Sequence, residues 1–447
     1  MLVQFFIMAF RNIMLAKRRT ILLGVSLALV SSLFIFLRSL TQGITDRMIQ
    51  NATTLSAGHI NVGGFYKFRS KSAAPLLEER TKVRNLVVQA LPEAKIIDRQ
   101  RGWGRIIGPA SSINVGMSGI NVEEEDKFFS TIQLADESEY KENGTKKIFG
   151  NFSDIRKKNT AIIFVSQAKK LGVGVGDTIT AITEASGGQT NSVDLTVIAI
   201  AKDLGMLSNW NLFVPRQTVL DLYDLKEDST GVIMVYLKDI TKAEKGMALL
   251  HDVFTREGYR IMAHDPNPFF FKFDKVMGED WLGQKLDLTL WKDEISFVLW
   301  VQTALDIITF IIISILSFII ATGIANAMWM SVRERIKEIG TMRAMGAERW
   351  QVLLLFLLEG FLLNLLFVGT ASLVTSAAIW GLNVLKIPIQ VEGLKFFLMS
   401  DYLSFSLSPS QIFKTMFLFC VVSMLGTFFP AMRAAKMQAG DALRQGK

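Results

Sequence analysis

Four long uncharged apolar runs constrain this chain more than anything else in it: residues 20–37, 307–332, 360–385 and 415–432, of 18, 26, 26 and 18 residues. A helix needs roughly 20 apolar residues to cross the hydrocarbon of a bilayer. In a chain with a mean hydropathy of +0.32, runs of this length exclude a soluble enzyme and predict an integral membrane protein with four transmembrane helices. The third run is extended on its N-terminal side by nine more uncharged residues and Glu359.

The net charge of +8 is a topology signal, because it is concentrated beside the spans. Residues 1–19 hold Arg11, Lys17, Arg18 and Arg19 with no acid; residues 333–349 hold five basic and three acidic residues; residues 433–447 hold four basic and one acidic. Short Lys/Arg-rich segments stay on the cytoplasmic side. Nucleic acid is therefore not a partner. The organisation predicted is a cytoplasmic lead-in at 1–19, spans at 20–40, 295–332, 350–385 and 412–432, an extracytoplasmic domain at 41–292, a cytoplasmic segment at 333–349, a short outer loop at 386–411 and a cytoplasmic tail at 433–447. Leu37-Arg38-Ser39-Leu40 offers no small-x-small cleavage site, so the first run reads as an uncleaved anchor. Cys420 is the single cysteine and lies in the last span, which leaves the exported domain without disulfides.

That domain reads as α+β, with a strand at 161–165, a helix at 167–171 capped by Ser166, and a turn at 174–177 into a strand at 178–183. A hairpin through Ser186-Gly-Gly-Gln189 leads to a strand at 193–201. Pro215 suits the first turn of a helix to Tyr223, residues 232–237 alternate as a strand, and Ala243, Met247, Leu250 and Phe254 give 242–256 a helical period. The expectation is a small sandwich-like module flanked by pieces at about 45–155 and 257–292.

Nothing points to catalysis by this chain alone. His59, His251 and His264 have no Cys or carboxylate at metal-ligand spacing, so no metal site is expected. Gly172-Val-Gly-Val-Gly-Asp177 lacks the Lys-Ser/Thr ending of a phosphate loop and precedes a strand, so it is a turn. As a helix, residues 333–345 place Ile336, Ile339 and Met342 on one side and Glu334 with Glu338 on another, which suits a soluble partner's groove. Gly340 and Gly346 allow close approach and a stop.

Ser331-Val-Arg-Glu-Arg-Ile-Lys-Glu-Ile-Gly-Thr-Met-Arg-Ala-Met-Gly-Ala347, followed by Leu355-Phe-Leu-Leu-Glu-Gly360, resembles the signature segment of FtsX-like permeases, the MacB-type ABC transporter family that includes the Lol lipoprotein-releasing permeases. Ala9-Phe-Arg-Asn12 with Lys17-Arg-Arg-Thr20 is similar to the family's amphipathic first helix, and Pro430-Ala-Met-Arg-Ala-Ala435 with Asp441-Ala-Leu-Arg444 to its C-terminal tail. Leu171-Gly-Val-Gly-Val-Gly-Asp177 resembles a turn of its exported domain.

The resemblance implies a bacterial inner-membrane permease with both termini cytoplasmic and no catalytic residue. ATP and Mg would sit on a separate cytoplasmic ATPase dimer, whose closure reaches the exported domain by mechanotransmission. Arg333, Glu334, Arg335, Lys337, Glu338, Gly340, Arg343 and Gly346 would form the coupling surface. The resemblance also implies a dimer with a second permease copy or paralogue. Gly24-x-x-x-Ala28-x-x-x-Ser32 suits a close helix approach, between protomers or within one.

Cargo stays open. Lipoprotein release to a periplasmic carrier leads, supported by Ser56-Ala-Gly-His-Ile-Asn61, which resembles Lol-type permeases, although the hairpin at 183–194 is too short for a carrier-binding hook. MacB-type efflux of a drug, peptide or toxin is the neighbouring alternative, and regulation of cell-wall hydrolases the alternative of another class. For acylated cargo, Phe34, Phe36 and Leu37 of the first span with Phe297 and Trp300 of the second would line a cavity open to membrane lipid.

Overall fold

The computed structural model describes residues 2–437 apart from 70, 71, 186, 187, 399 and 401. It divides into two compact units: Met1–Asp46, Gln302–Pro388 and Tyr402–Lys447 form the helical one, and Arg47–Val301 with Ile389–Asp401 the inserted one. The tail motif at 441–444 and the centre of the hairpin turn at 186–187 lie outside the described residues.

Among the described residues, four helices are long and apolar enough to cross a membrane, as expected. They belong to the helices Lys17–Leu55, Ser296–Glu334, Arg349–Leu385 and Pro409–Lys436, and a short helix, Leu2–Leu15, precedes them. The first span's helix does not stop near residue 40. It runs to Leu55, because 41–55 is polar but keeps a buried helical stripe of Ile44, Met48, Ala52 and Leu55. Loss of hydrophobicity marks the edge of the bilayer and not the end of the helix.

Small residues let the spans approach closely. A side chain at Gly360 of the third span would meet Thr427 Oγ1 of the fourth at 2.7 Å, and Ser423 Oγ donates to the Gly360 carbonyl at 3.0 Å. Gly24 is packed on the Phe367 ring of the third span, and the buried face of the first span runs through Gly24, Leu27, Ser31 and Ile35. The small-residue stripe therefore serves packing within one chain at Gly24, and Ala28 and Ser32 lie off the buried face.

The insert holds ten strands in one sheet among its described residues: β1 Ile60–Arg69, β2 Ser72–Ala74, β3 Lys95–Ile107, β4 Ser112–Ile120, β5 Thr160–Phe164, β6 Thr178–Glu184, β7 Thr190–Ala201, β8 Asn211–Pro215, β9 Val232–Tyr236 and β10 Gly283–Leu290. Their order is β10-β1-β9-β3-β4-β8-β5-β7-β6, with β2 beside β1. Because β6 also pairs with β3, through Arg105↔Ile182, six strands close into a ring. The expected sandwich is thus a barrel, and the pieces expected to flank it contribute β1, β3, β4 and β10 to the same sheet. The 13-residue β3 makes this possible: Lys95–Arg99 pairs with β9, and from Gln100 onward it pairs with β4. Ile106, Met117, Ile163, Ile179 and Leu195 fill the barrel lobe, while Val62, Ile233 and Leu286 pack under the helices Arg80–Ala90 and Ala243–Arg256 in the other.

The β6–β7 hairpin forms, and Asp177 accepts the Gly174 N–H at 2.7 Å in the turn that feeds β6. Ser166 does not cap its helix, which starts two residues earlier than expected, at Val165. Gln167 Oε1 accepts the Phe164 N–H at 3.1 Å instead, and Ser166 binds Asp203.

Candidate functional site

Three places in the two units gather polar side chains. The first is the charged segment after the second span. That helix ends at Glu334, Arg335 leaves helical geometry, and a separate helix runs Ile336–Ala344. Gly346 at φ +96° ends it, a conformation that strains residues with a Cβ.

Arg333, Glu334, Lys337 and Glu338 are exposed here. Ile339 and Gly340 are buried and Ile336 and Met342 half-buried, with Ile339 and Met342 packed into the chain's own bundle. The apolar face expected to anchor a partner is thus already covered, because a short helix tethered at both ends hides its hydrophobic stripe against the nearest spans. Arg335 also points inward. Its Nη1 donates to Glu359 Oε1 at 2.8 Å, and Asn12 Nδ2 donates to the same oxygen at 2.7 Å. Glu359 is 3% exposed, so these donors offset the cost of taking a carboxylate out of water. They tie the lead-in helix, the break at Arg335 and the third span together. Arg343 turns back to donate to the Ala347 carbonyl at 2.7 Å, serving the helix end.

The second place is a cavity of about 890 Å³ at the opposite end of the helical unit, among the first, second and fourth spans. Phe34, Phe310, Ile313, Leu418 and Val422 make its apolar walls, and Arg38, Gln42, Asp46, Asp306, Gln411 and Lys414 its polar mouth. Arg38 Nη1 and Asp306 Oδ1 are 2.9 Å apart and both side chains are over 40% exposed, so their pair is an adjustable one. Of the residues expected to line a cavity, Phe34 does. Phe36 packs on Phe405 with ring centroids 5.0 Å apart, and Leu37 is half-buried outside the lining. Trp300 is 59% exposed in the inserted unit, and the Phe297 side chain lies outside the described residues. Helical spacing explains the difference: 34, 38, 42 and 46 share a face that 36 and 37 do not. The sequence signal for Arg38 was that spacing.

The third place is where the first span's helix ends in the insert. Arg99, on β3 where its pairing passes from β9 to β4, is fully buried. It donates to the carbonyls of Leu55 at 2.7 Å and Thr54 at 2.8 Å and pairs with Glu125. Tyr236 on β9 donates to the Thr53 carbonyl at 2.8 Å, and burial pushes its phenol up to about 12. Helix termini leave carbonyls without partners, and side chains from two strands satisfy three of them here. Sequence reasoning missed this joint because Arg99 and Leu55 are distant along the chain.

Elsewhere the insert's polar groups read as structural. His59 Nδ1 accepts the Leu237 N–H at 3.0 Å, and His251 and His264 are exposed. Among the described residues, no three His, Cys, Asp or Glu side chains converge as metal ligands.

Comparison with known proteins gives two family matches that together span most of the chain. Residues 20–253 match the MacB-like periplasmic core domain and residues 294–439 the FtsX-like permease C-terminal domain. An uncharacterized ABC transporter permease, MJ1507, from Methanocaldococcus jannaschii is 29% identical over 147 residues, 32% of this chain and 35% of that protein. The macrolide export ATP-binding/permease protein MacB of Pectobacterium atrosepticum is 32% identical over 123 residues, covering 28% and 17% respectively. A MacB 1/2 of Paracoccus denitrificans is 25% identical over 259 residues, covering 57% and 33%. The matches thus span about a third or less of these relatives' length. The solved periplasmic region of MacB from Actinobacillus actinomycetemcomitans shares 14% identity at a TM-score of 0.28, covering 46% of this chain and 88% of that one.

Proposed function

This chain belongs to the FtsX-like and MacB family of ABC transporter permeases, a family that implies an ATPase partner, and from that premise we propose that it moves an amphiphilic cargo at the outer end of its spans, with an acylated lipoprotein as the leading cargo. The cavity carries this reading. Its volume of about 890 Å³ is ample for a ligand site, and its apolar walls below a charged mouth match a molecule with acyl chains on a polar head. The insert faces the extracytoplasmic side, both termini lie in the cytoplasm of the inner membrane, and two permeases work as a pair. A cytoplasmic ATPase dimer supplies the motion. The short β6–β7 hairpin suits a chain that leaves carrier binding to a partner permease.

The test is photo-crosslinking from Ile313 and Leu418 in membranes that contain the ATPase and a mature acylated lipoprotein. Lipoprotein adducts that disappear on ATP addition are the expected result. Labelling of phospholipid alone, unchanged by ATP, would remove lipoprotein as cargo. The names of the MacB relatives favour a second reading, efflux of a macrolide-like amphiphile. It predicts that a macrolide protects the same two positions from labelling.

The exposed charges of the Ile336–Ala344 helix are the contact to the ATPase in this proposal. Glu338→Lys is expected to lower cargo moved per ATP while changing stability by less than about 1 kcal/mol, since Glu338 is exposed and its nearest cation, Arg335 Nε, lies 3.9 Å away. Unchanged coupling in this variant would remove the helix from the ATPase contact.

A further inference from the structure

The helical unit has a second cavity, of about 540 Å³, at the end that carries residues 333–349, and its lining differs from that of the cargo cavity. Asn326, Trp329, Met330 and Arg333 line it from the second span, and Arg433 from the fourth. The first four stand at i, i+3, i+4 and i+7, so they share one helix face. The Arg433 guanidinium lies over the Trp329 ring, 5.0 Å from its centroid, which holds the cation in place without neutralising it.

Neighbouring arginines here have opposite fates. Arg335 turns into the bundle and meets Glu359 at 2.8 Å. Arg333 and Arg433 open into the cavity, and among the described residues no carboxylate pairs with either. Two guanidiniums at the end of two spans repel one another and attract an anion, and their planar forks suit the oxygens of a phosphate. The surroundings favour a phosphate attached to acyl chains. Met330 is 60% exposed beside Arg333, Phe429 is 69% exposed one turn before Arg433, and tryptophan is typical of the level where headgroups meet hydrocarbon.

We propose that this cavity holds the phosphate of one anionic phospholipid, clamped by Arg333 and Arg433 with Asn326 as a further donor, on the leaflet that faces the ATPase. Arg333 then belongs to the lipid and not to the ATPase contact. The lipid braces the second span where it passes into the Ile336–Ala344 helix, so the site would link the leaflet's composition to the coupling segment. The inference depends on the chain spanning a membrane and is independent of the cargo.

The probe is phosphatidylglycerol added to the delipidated full chain in detergent, with retained lipid counted by native mass spectrometry and phosphatidylcholine as comparison. One phosphatidylglycerol per chain should be retained in preference to phosphatidylcholine, and raised salt should weaken it. The Arg333→Gln/Arg433→Gln double variant should bind about tenfold more weakly. Arg433→Lys, which keeps the charge but loses the fork and the stacked guanidinium, should fall between, and it keeps the test valid if the double variant does not fold. Arg11→Gln removes a cytoplasmic-side charge elsewhere and should bind as the wild type does.

Equal retention of the two lipids would overturn the proposal, as would wild-type phosphatidylglycerol retention in the double variant. Displacement by millimolar inorganic phosphate would assign the site to free phosphate. Lost ATPase binding with lipid retention unchanged would assign the two arginines to a protein partner. Either result would overturn the lipid.

Discussion

Lys272→Met is expected to cost the insert about 3–5 kcal/mol, because it removes one partner of a fully buried ion pair and strands the other. Lys272 Nζ donates to both oxygens of Asp287 at 2.9 Å, and neither side chain exceeds 1% exposure. Burial raises the Asp287 carboxyl above its ordinary range, with Lys272 opposing that shift. Removing the lysine therefore raises it further, and the pH dependence follows. A carboxyl whose folded-state pKa lies above its unfolded value favours the fold while protonated and loses that contribution as pH rises through the folded value. The penalty should accordingly be largest at neutral and alkaline pH and shrink on acidification toward the unfolded value of 3.8. Hydrogen exchange along β10 in the full chain, corrected for the intrinsic rate at each pH, measures it. A penalty that stays constant across pH would show that packing, and not a stranded charge, carries the cost.

Arg99→Met is the second large effect, again about 3–5 kcal/mol, since it strands buried Glu125 and uncaps the carbonyls of Thr54 and Leu55 together. Arg99→Lys keeps a charge but cannot reach both carbonyls and the carboxylate with one ammonium, so it should lie between. The functional consequence is separable from the stability loss. Exchange protection of the helix's last turn should fall in both variants, and in Arg99→Lys cargo moved per ATP should fall while ATP turnover persists. Wild-type protection and coupling in Arg99→Lys would place the constraint on the helix's last turn somewhere else.

Both residues show how little of the insert's polar core can be seen from composition. Residue order sets neither Lys272 nor Arg99 apart from the chain's other cations, and the structure buries both because their partners, Asp287 and Glu125, come from other elements. The coupling segment shows the same limit at short range. Its 3.6-residue period gives a helix over 333–345, which the structure shortens to Ile336–Ala344 by a break at Arg335 that leaves Glu334 on the span's helix, and a period cannot say what covers the apolar side of Ile336, Ile339 and Met342. Here the chain's own spans cover it, which leaves the charges to any partner. The cavity among the spans shows the same limit: of the aromatic cluster at the end of the first span, helical geometry turns Phe34 and Arg38 into its lining and leaves Phe36 and Leu37 out of it.

What was legible without coordinates depends on local, one-dimensional physics. Hydrocarbon thickness sets the length of an apolar run, so four spans, a large insert between the first two and the charged segment after the second were all readable from residue order, and so was family membership through 331–347. The β6–β7 hairpin and the Ala243–Arg256 helix were readable for the same reason, since each is specified by neighbours within a few residues. Closure of six strands into a barrel, the helix that continues to Leu55, the cap by Arg99 and the knot of Arg335, Glu359 and Asn12 were decided only in three dimensions. Each depends on which buried polar group finds its partner across tens or hundreds of residues, and that pairing leaves no periodic trace in the chain.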